Sequence, residues 1–155
     1  MLKYLARRLL YSFRKDAVTI DALDNKQRNE ESDMGNIKAV FVGTGMIGAG
    51  LAANAMLNGY QTVLYDVVPH EKISHILDIL VGAGAATREQ ADAALNACHF
   101  SNDLEDAVKG ANFVQECIPE RLELKKSTYA TIQKVTGPDA IICSSTSKLF
   151  PTKLQ

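Results

Sequence analysis

The stretch Ala39-Val40-Phe41-Val42-Gly43-Thr44-Gly45-Met46-Ile47-Gly48 sets glycines at the spacing G-x-G-x-x-G, straight after an apolar run. That spacing suits one piece of chemistry, the holding of a pyrophosphate between a strand and a helix. Gly43 permits the tight strand-to-helix turn, Gly45 lets backbone approach the phosphates, and Gly48 lets the helix pack closely on the strand. The helix N-terminus behind them offers N–H groups without intrahelical partners and a partial positive charge. Thr44, Met46 and Ile47 stand between these glycines and belong to the same turn. A second apolar run, Thr62-Val63-Leu64-Tyr65, delivers Asp66 18 residues after Gly48. A carboxylate at the end of that strand accepts hydrogen bonds from the adenosine ribose and repels a 2′-phosphate, so the pattern predicts NAD rather than NADP as cofactor. With strand, helix and acid all in place, this reading outweighs a glycine-rich turn that binds nothing.

These residues need a framework, and the hydrophobic pattern supplies one. A strand is predicted over 37–42 and a helix over 46–58, rich in Ala, Leu and Met and stopped by Gly59 at a C′ position. The second strand is 62–65. A helix follows over 70–80, with Ile73, Ile76, Leu77 and Leu80 at the i, i+3, i+4, i+7 spacing of one buried face. Gly82-Ala83-Gly84 breaks it, and a short helix over 87–97 opens with Thr-x-x-Gln, a capping-box arrangement. A short strand at 99–100, a helical turn over 103–108 stopped by Gly110, a strand over 112–117, a helix over 122–135 and a last strand over 140–144 complete the alternation. Strands alternating with helices imply an α/β fold, a Rossmann-type doubly wound parallel sheet. Ligands bind such sheets outside the carboxyl ends of the strands, near the point where strand order reverses. The rule selects the Gly43–Gly48 turn, the loop after Cys117 and the loop after Ser144.

The 155 residues amount to about one domain, 46% apolar and 23% charged, with a net charge of −1. A near-neutral chain gives no reason to expect nucleic acid or an anionic membrane as partner, and no apolar run reaches the length of a membrane span. Cys98, Cys117 and Cys143 are odd in number and widely spaced, so they form neither a disulfide framework nor a metal set. A reducing, cytoplasmic compartment fits them. Residues 1–33 stand apart from the domain expected over 34–155. Met1 to Lys15 carries Lys3, Arg7, Arg8, Arg14 and Lys15 and no acid, and Asp24 to Asp33 is a polar linker with nothing to bury. A targeting presequence, which would direct the chain to the mitochondrial matrix, an incidental extension before a start at Met34, and a surface helix all fit this composition.

The string Ala111-Asn-Phe-Val-Gln-Glu-Cys-Ile-Pro-Glu-Arg-Leu-Glu-Leu-Lys-Lys126, followed by Ser144-Ser-Thr-Ser-Lys-Leu149, resembles the 3-hydroxyacyl-CoA dehydrogenase family. Its Q-E-x-x-P-E-R-L-x-L-K and S-S-T-S tracts look most like the L-carnitine dehydrogenase branch, with the λ-crystallin/L-gulonate dehydrogenase branch next. The resemblance covers about 36–155. It implies that Gly43 to Gly48 hold the pyrophosphate and Asp66 the adenosine ribose. It further implies that Glu120 and Lys125 line the nicotinamide end, and that Ser147 touches both the nicotinamide region and the substrate hydroxyl. A hydroxyl beside the substrate oxygen can hydrogen-bond it as charge develops during hydride transfer. On the residues alone, Glu120 and Lys125 also read as a solvated pair near a helix start, and Ser147 as a helix N-cap or loop serine.

The family removes the hydroxyl proton with a histidine that lies downstream of the Ser147 region, and a helical domain beyond it supplies substrate contacts and the dimer interface. This chain ends at Gln155, and His70, His75 and His99 read better as surface or structural histidines than as that base. The expectation is therefore an NAD-binding domain of an enzyme that oxidises a small-molecule 3-hydroxy substrate to the 3-keto product, without its catalytic His and inactive alone, with a homodimer for a full-length form. A non-enzymatic NAD-binding module or pseudoenzyme is the alternative.

Overall fold

A computed structural model describes residues 36–67 and 71–149 of the chain. The segment 1–33, with its targeting and linker readings, lies outside the described residues, as does His70. The described elements run in the order β1 (Lys38–Val42), α1 (Met46–Leu57), β2 (Gln61–Tyr65), α2 (Glu71–Gly82), α3 (Arg88–Ala97), β3 (His99–Ser101), α4 (Leu104–Val108), β4 (Phe113–Glu116), α5 (Leu122–Val135) and β5 (Ile141–Ser144). All five strands are parallel, in the order β3-β2-β1-β4-β5. The chain builds outward from β1 to β3, then crosses back to lay β4 on the other side of β1. The connections after β1 and β4 therefore diverge, and a crevice opens between them at the carboxyl edge.

The pleat explains how so short a strand as β1 serves two cores. Successive side chains point to opposite faces. Ala39 and Phe41 face α1, α2 and α3, meeting Ala49, Ala52, Ala53, Met56, Ile73, Leu77 and Ala91. Val40 and Val42 face α4 and α5, meeting Ala107, Val108, Val114, Tyr129 and Ile132. Alanines on the buried side of α1 bring that helix close to the sheet, which fixes the position of its N-terminus over the crevice.

Helix ends follow local chemistry. At the end of α1, Gly59 adopts φ +82°, its N–H donates to Met56 O, and the Tyr60 N–H donates to Ala55 O. These are the paired bonds of a Schellman closure. Gly84 (φ +70°) closes α2 the same way, with its own N–H donating to Val81 O and that of Ala85 to Leu80 O. Thr87 caps α3 in a full capping box with Gln90, and Asp103 caps α4 by accepting from the Asp106 N–H at 3.0 Å. The observed boundaries depart from the sequence expectations by one or two residues, and β3 extends through Ser101. The α2 stripe is as predicted, with Ile73 and Leu77 buried and Ile76 and Leu80 packed against them.

Candidate functional site

The first wall of the crevice is the turn between β1 and α1. Gly43 sits at φ +98° and its N–H donates to Tyr65 O at 2.8 Å, locking the turn to the end of β2. The three glycines of the motif serve two different needs. A Cβ at Gly43 would come within 2.9 Å of the Cys117 carbonyl carbon and oxygen, and one at Gly48 within 1.9 Å of Gly43 O. Both glycines therefore answer to crowding by backbone. A Cβ at Gly45 would meet nothing within 4 Å. Gly45 faces open space, and a side chain there would fill it.

That space lies at the N-terminus of α1. Gly45 is its N-cap, with no side-chain cap and no acidic residue in the first turn. The first intrahelical bond runs from the Ala49 N–H to Gly45 O at 2.8 Å, so the N–H groups of the preceding turn are left for an anion, reinforced by the helix dipole. Met46 and Ile47 are exposed beside it, at 77% and 61%. Thr44, in contrast, is buried and donates to Asp66 Oδ2 twice, from its N–H at 2.6 Å and its Oγ1 at 2.7 Å. Asp66 Oδ1 accepts from the Val67 N–H at 2.8 Å. The carboxylate at the end of β2 is thus fixed relative to the glycine turn. An uncapped helix start, an open position at Gly45 and a fixed carboxylate one strand away match the phosphates and ribose of a dinucleotide.

The second wall is built by β4, α5 and β5. Val114 and Glu116 lie on the β4 face that meets α5, because they are two residues apart. Glu116 is fully buried there. Its Oε1 accepts from Lys125 Nζ at 2.5 Å and from the Ile118 N–H at 2.8 Å. Its Oε2 accepts from Ser144 Oγ at 2.6 Å and Tyr129 OH at 2.7 Å. Burial alone pushes the Glu116 carboxyl up, but the hydrogen bonds from Lys125, Ser144 and Tyr129 outweigh it and hold it below the usual carboxylate range. The Tyr129 hydroxyl is driven well up, by burial first and by the charge of Glu116.

Above this buried centre lie two loops. Glu120, after β4, accepts from Thr146 Oγ1 at 2.6 Å and from the Ser147 N–H at 2.8 Å, and these bonds lower its pKa. Ser145 Oγ accepts from Gln115 Nε2 at 3.0 Å and lies 3.2 Å from Cys117 Sγ. Burial pushes the Cys117 thiol up and raises Cys98 to about 12, so both stay protonated at neutral pH.

The structure brings Gly43, Thr44, Gly45, Met46, Ile47, Gly48 and Asp66 together on one wall and Glu120 and Ser147 on the other. Ser147 lies in an exposed loop, not at a helix N-cap. Lys125 corrects one expectation. It is 1% exposed and bonded to Glu116, so it does not form a solvated pair with Glu120. Among the described histidines, His75 is exposed on α2 and His99 opens β3, at the sheet edge opposite the crevice. Glu116, Tyr129, Ser144 and Thr146 were not singled out from sequence. A signal for the first two was present, because Lys125, Thr128, Tyr129 and Ile132 fall at i, i+3, i+4 and i+7 on the buried face of α5. A lysine on a core stripe demands a buried anion.

Residues 38–155 match the family model described as "3-hydroxyacyl-CoA dehydrogenase, NAD binding domain". A protein of Ruegeria pomeroyi named L-carnitine dehydrogenase/betainyl-CoA thioesterase is 39% identical over 120 residues, which cover 76% of this chain and 24% of that protein. An L-carnitine dehydrogenase of a Pseudomonas species is 36% identical over 118 residues, covering 72% of this chain and 36% of the relative. Among solved structures, the 3-hydroxybutyryl-CoA dehydrogenase of Escherichia coli superposes with a TM-score of 0.68 at 29% identity, over 76% of this chain and 26% of that one. The chain therefore spans about a quarter to a third of the length of these relatives. Among the described residues no helix is long and apolar enough to cross a membrane.

Proposed function

Because this chain belongs to the 3-hydroxyacyl-CoA dehydrogenase family, as its NAD-binding domain, we propose how its two walls divide the cofactor. The pyrophosphate rests on the Gly43–Gly48 turn, its charge met by the N–H groups at the start of α1. Asp66 accepts from the adenosine ribose and disfavours a 2′-phosphate. Glu120, with buried Lys125 beneath it, lines the nicotinamide end, and Ser147 stands where its hydroxyl reaches both that end and the substrate oxygen. The observation that carries the reading is Gly45, the glycine of the motif that backbone crowding does not require. Its lack of a side chain keeps the helix start open to a ligand.

In the whole protein the reaction is the oxidation of a small-molecule 3-hydroxy compound, of the L-carnitine or 3-hydroxyacyl-CoA type, to its 3-keto product. Bound NAD supplies the hydride acceptor. The chain's own residues bind and orient it, and Ser147 donates a hydrogen bond to the substrate oxygen. The reaction also needs a proton acceptor within hydrogen-bond reach of that oxygen, and the described residues bring no histidine to the crevice. The chain alone accordingly gives no appreciable turnover, and NADH production from L-carnitine or 3-hydroxybutyryl-CoA by the purified chain would contradict this. For the whole protein the reading extends to a homodimer. Three unbridged cysteines favour a reducing compartment, cytoplasmic or, if residues 1–33 act as a presequence, the mitochondrial matrix.

Fluorescence titration of the purified chain with NADH, and with NADPH in parallel, tests the cofactor assignment. Saturable NADH binding with NADPH much weaker is the expected result. Equal binding of both would remove Asp66 from the ribose, and binding of neither would remove the glycine turn from the phosphates.

A further inference from the structure

Ser144, the last residue of β5, makes two hydrogen bonds that point in different directions. Its hydroxyl donates its single proton to Glu116 Oε2 at 2.6 Å and accepts from the Thr146 N–H at 3.1 Å. Thr146 Oγ1 in turn donates to Glu120 Oε2 at 2.6 Å, and Glu120 Oε1 accepts from the Ser147 N–H at 2.8 Å. An unbroken chain of hydrogen bonds therefore runs from the buried carboxylate of Glu116 to the two exposed residues that face the crevice.

The inner end of that chain is rigid. Glu116 is fully buried and takes bonds from α5, from the loop after β4 and from β5. The outer end is an exposed loop, which with fewer fixed contacts opens more readily than the sheet. From this contrast we infer that Ser144 is a positioning residue: its hydroxyl carries the fixed position of Glu116 into the backbone at Thr146 and Ser147, and so sets where the nicotinamide half of the cofactor is gripped. The inference rests on the assignment of Glu120 and Ser147 to that half.

Removing the hydroxyl leaves the sheet intact. The Ser145 N–H still donates to Glu116 O at 2.9 Å, Gln115 still bonds Ser145 Oγ, and β5 keeps its register with β4. Only the backbone beyond Ser145 loses its tie. Tyr129→Phe removes a different hydrogen bond from the same Glu116 oxygen, and its own contact with the Ser144 hydroxyl, but leaves that hydroxyl's bonds to Glu116 and Thr146 in place, so it serves as the control.

The test uses the full chain as wild type, Ser144→Ala, Ser144→Thr and Tyr129→Phe. Amide hydrogen exchange is followed at Thr146, Ser147 and Val42, and dissociation constants are measured for NADH and for ADP-ribose, which lacks the nicotinamide. Ser144→Ala is expected to speed exchange at Thr146 and Ser147 but not at Val42. It weakens NADH about fivefold, the worth of roughly one hydrogen bond, with ADP-ribose unchanged. Ser144→Thr, which keeps a hydroxyl, restores both, and Tyr129→Phe leaves the ratio of NADH to ADP-ribose affinity at its wild-type value. If wild type prefers NADH and Ser144→Ala retains that preference, or loses affinity for both ligands equally, the inference is overturned and the cofactor assignment stands. A Tyr129→Phe ratio shifted as far as that of Ser144→Ala overturns it too. If wild type binds NADH no tighter than ADP-ribose, the assignment of Glu120 and Ser147 falls, and the inference with it.

Discussion

At the end of β1 the crevice is walled by backbone, with three glycines, an uncapped helix start and an open position at Gly45. At the end of β4 it is walled by side chains whose polar atoms have found one another before any ligand arrives. On the proposed reading the first wall takes an anion through unfilled space and N–H groups without intrahelical partners, and its chemistry suits any pyrophosphate. The second holds a shape through a buried ion pair and a relay of hydroxyls, an arrangement that suits placement of the group the proposed reading puts there. The two walls should therefore respond differently to substitution: the glycine wall through ligand affinity, the β4–β5 wall through stability and placement.

The largest effect is expected at the buried pair. Lys125→Met leaves the Glu116 carboxylate in the core without its cation, and breaking a buried pair from one side costs about 3–5 kcal/mol. Thermal or denaturant unfolding reads this directly, and a loss below about 1 kcal/mol would show that the pair does not hold the wall together. The same centre sets an acid dependence. Because the folded Glu116 carboxyl lies below its ordinary value, it stabilises the fold fully above the unfolded pKa of about 4.3. That contribution fades as pH falls through the folded value. Glu116→Gln should flatten the acid loss seen in pH-dependent unfolding, and an unchanged profile would assign that loss to other carboxylates.

The next contrast lies within the glycine wall. Gly48→Ala forces a Cβ to within 1.9 Å of Gly43 O, so backbone must shift at a cost of about 1–3 kcal/mol, and NADH binding goes with it. Gly45→Ala keeps φ at −61°, which alanine tolerates, and changes stability by less than about 1 kcal/mol. It is nonetheless expected to weaken NADH about tenfold or more by filling the space that the proposed reading gives to phosphate. Paired melting and NADH titration separate the two variants, and equal stability losses would dissolve the distinction between crowded and open glycines. The smallest effect is away from both walls. Thr87→Ala removes the capping box of α3 and costs about 1 kcal/mol, while NADH affinity stays unchanged. A fall in affinity would mean that α3 is coupled to the crevice.

The glycines and Asp66 of the first wall were legible in the sequence because each has a physical reason to stand there, whereas the tie of Thr44 to Asp66 was not. The parallel sheet followed from alternation, though not its strand order, and Gly59 and Gly84 punctuated helices as their positive φ requires. The β4–β5 wall was less legible. In Asn112-Phe-Val-Gln-Glu116 the alternation puts Glu116 on the same face as Val114, yet a glutamate at a strand end reads as solvated until its partners are known. Those partners come from 9, 13 and 28 residues further along the chain. The family string implied a role for Lys125, but its burial required seeing it as one member of the Lys125-Thr128-Tyr129-Ile132 stripe. Ser144 and Thr146 carry no spacing rule at all, since their importance lies in which way two hydroxyls point.

The most direct test of the two-walled crevice is a map of backbone amide chemical shifts in the labelled chain, titrated first with ADP-ribose and then with NADH. ADP-ribose should move the amides of Gly43 to Gly48 and of Asp66 and Val67. NADH should move these and, in addition, those of Glu120, Thr146 and Ser147. Perturbations by NADH confined to the first set, or falling outside both, would contradict the account.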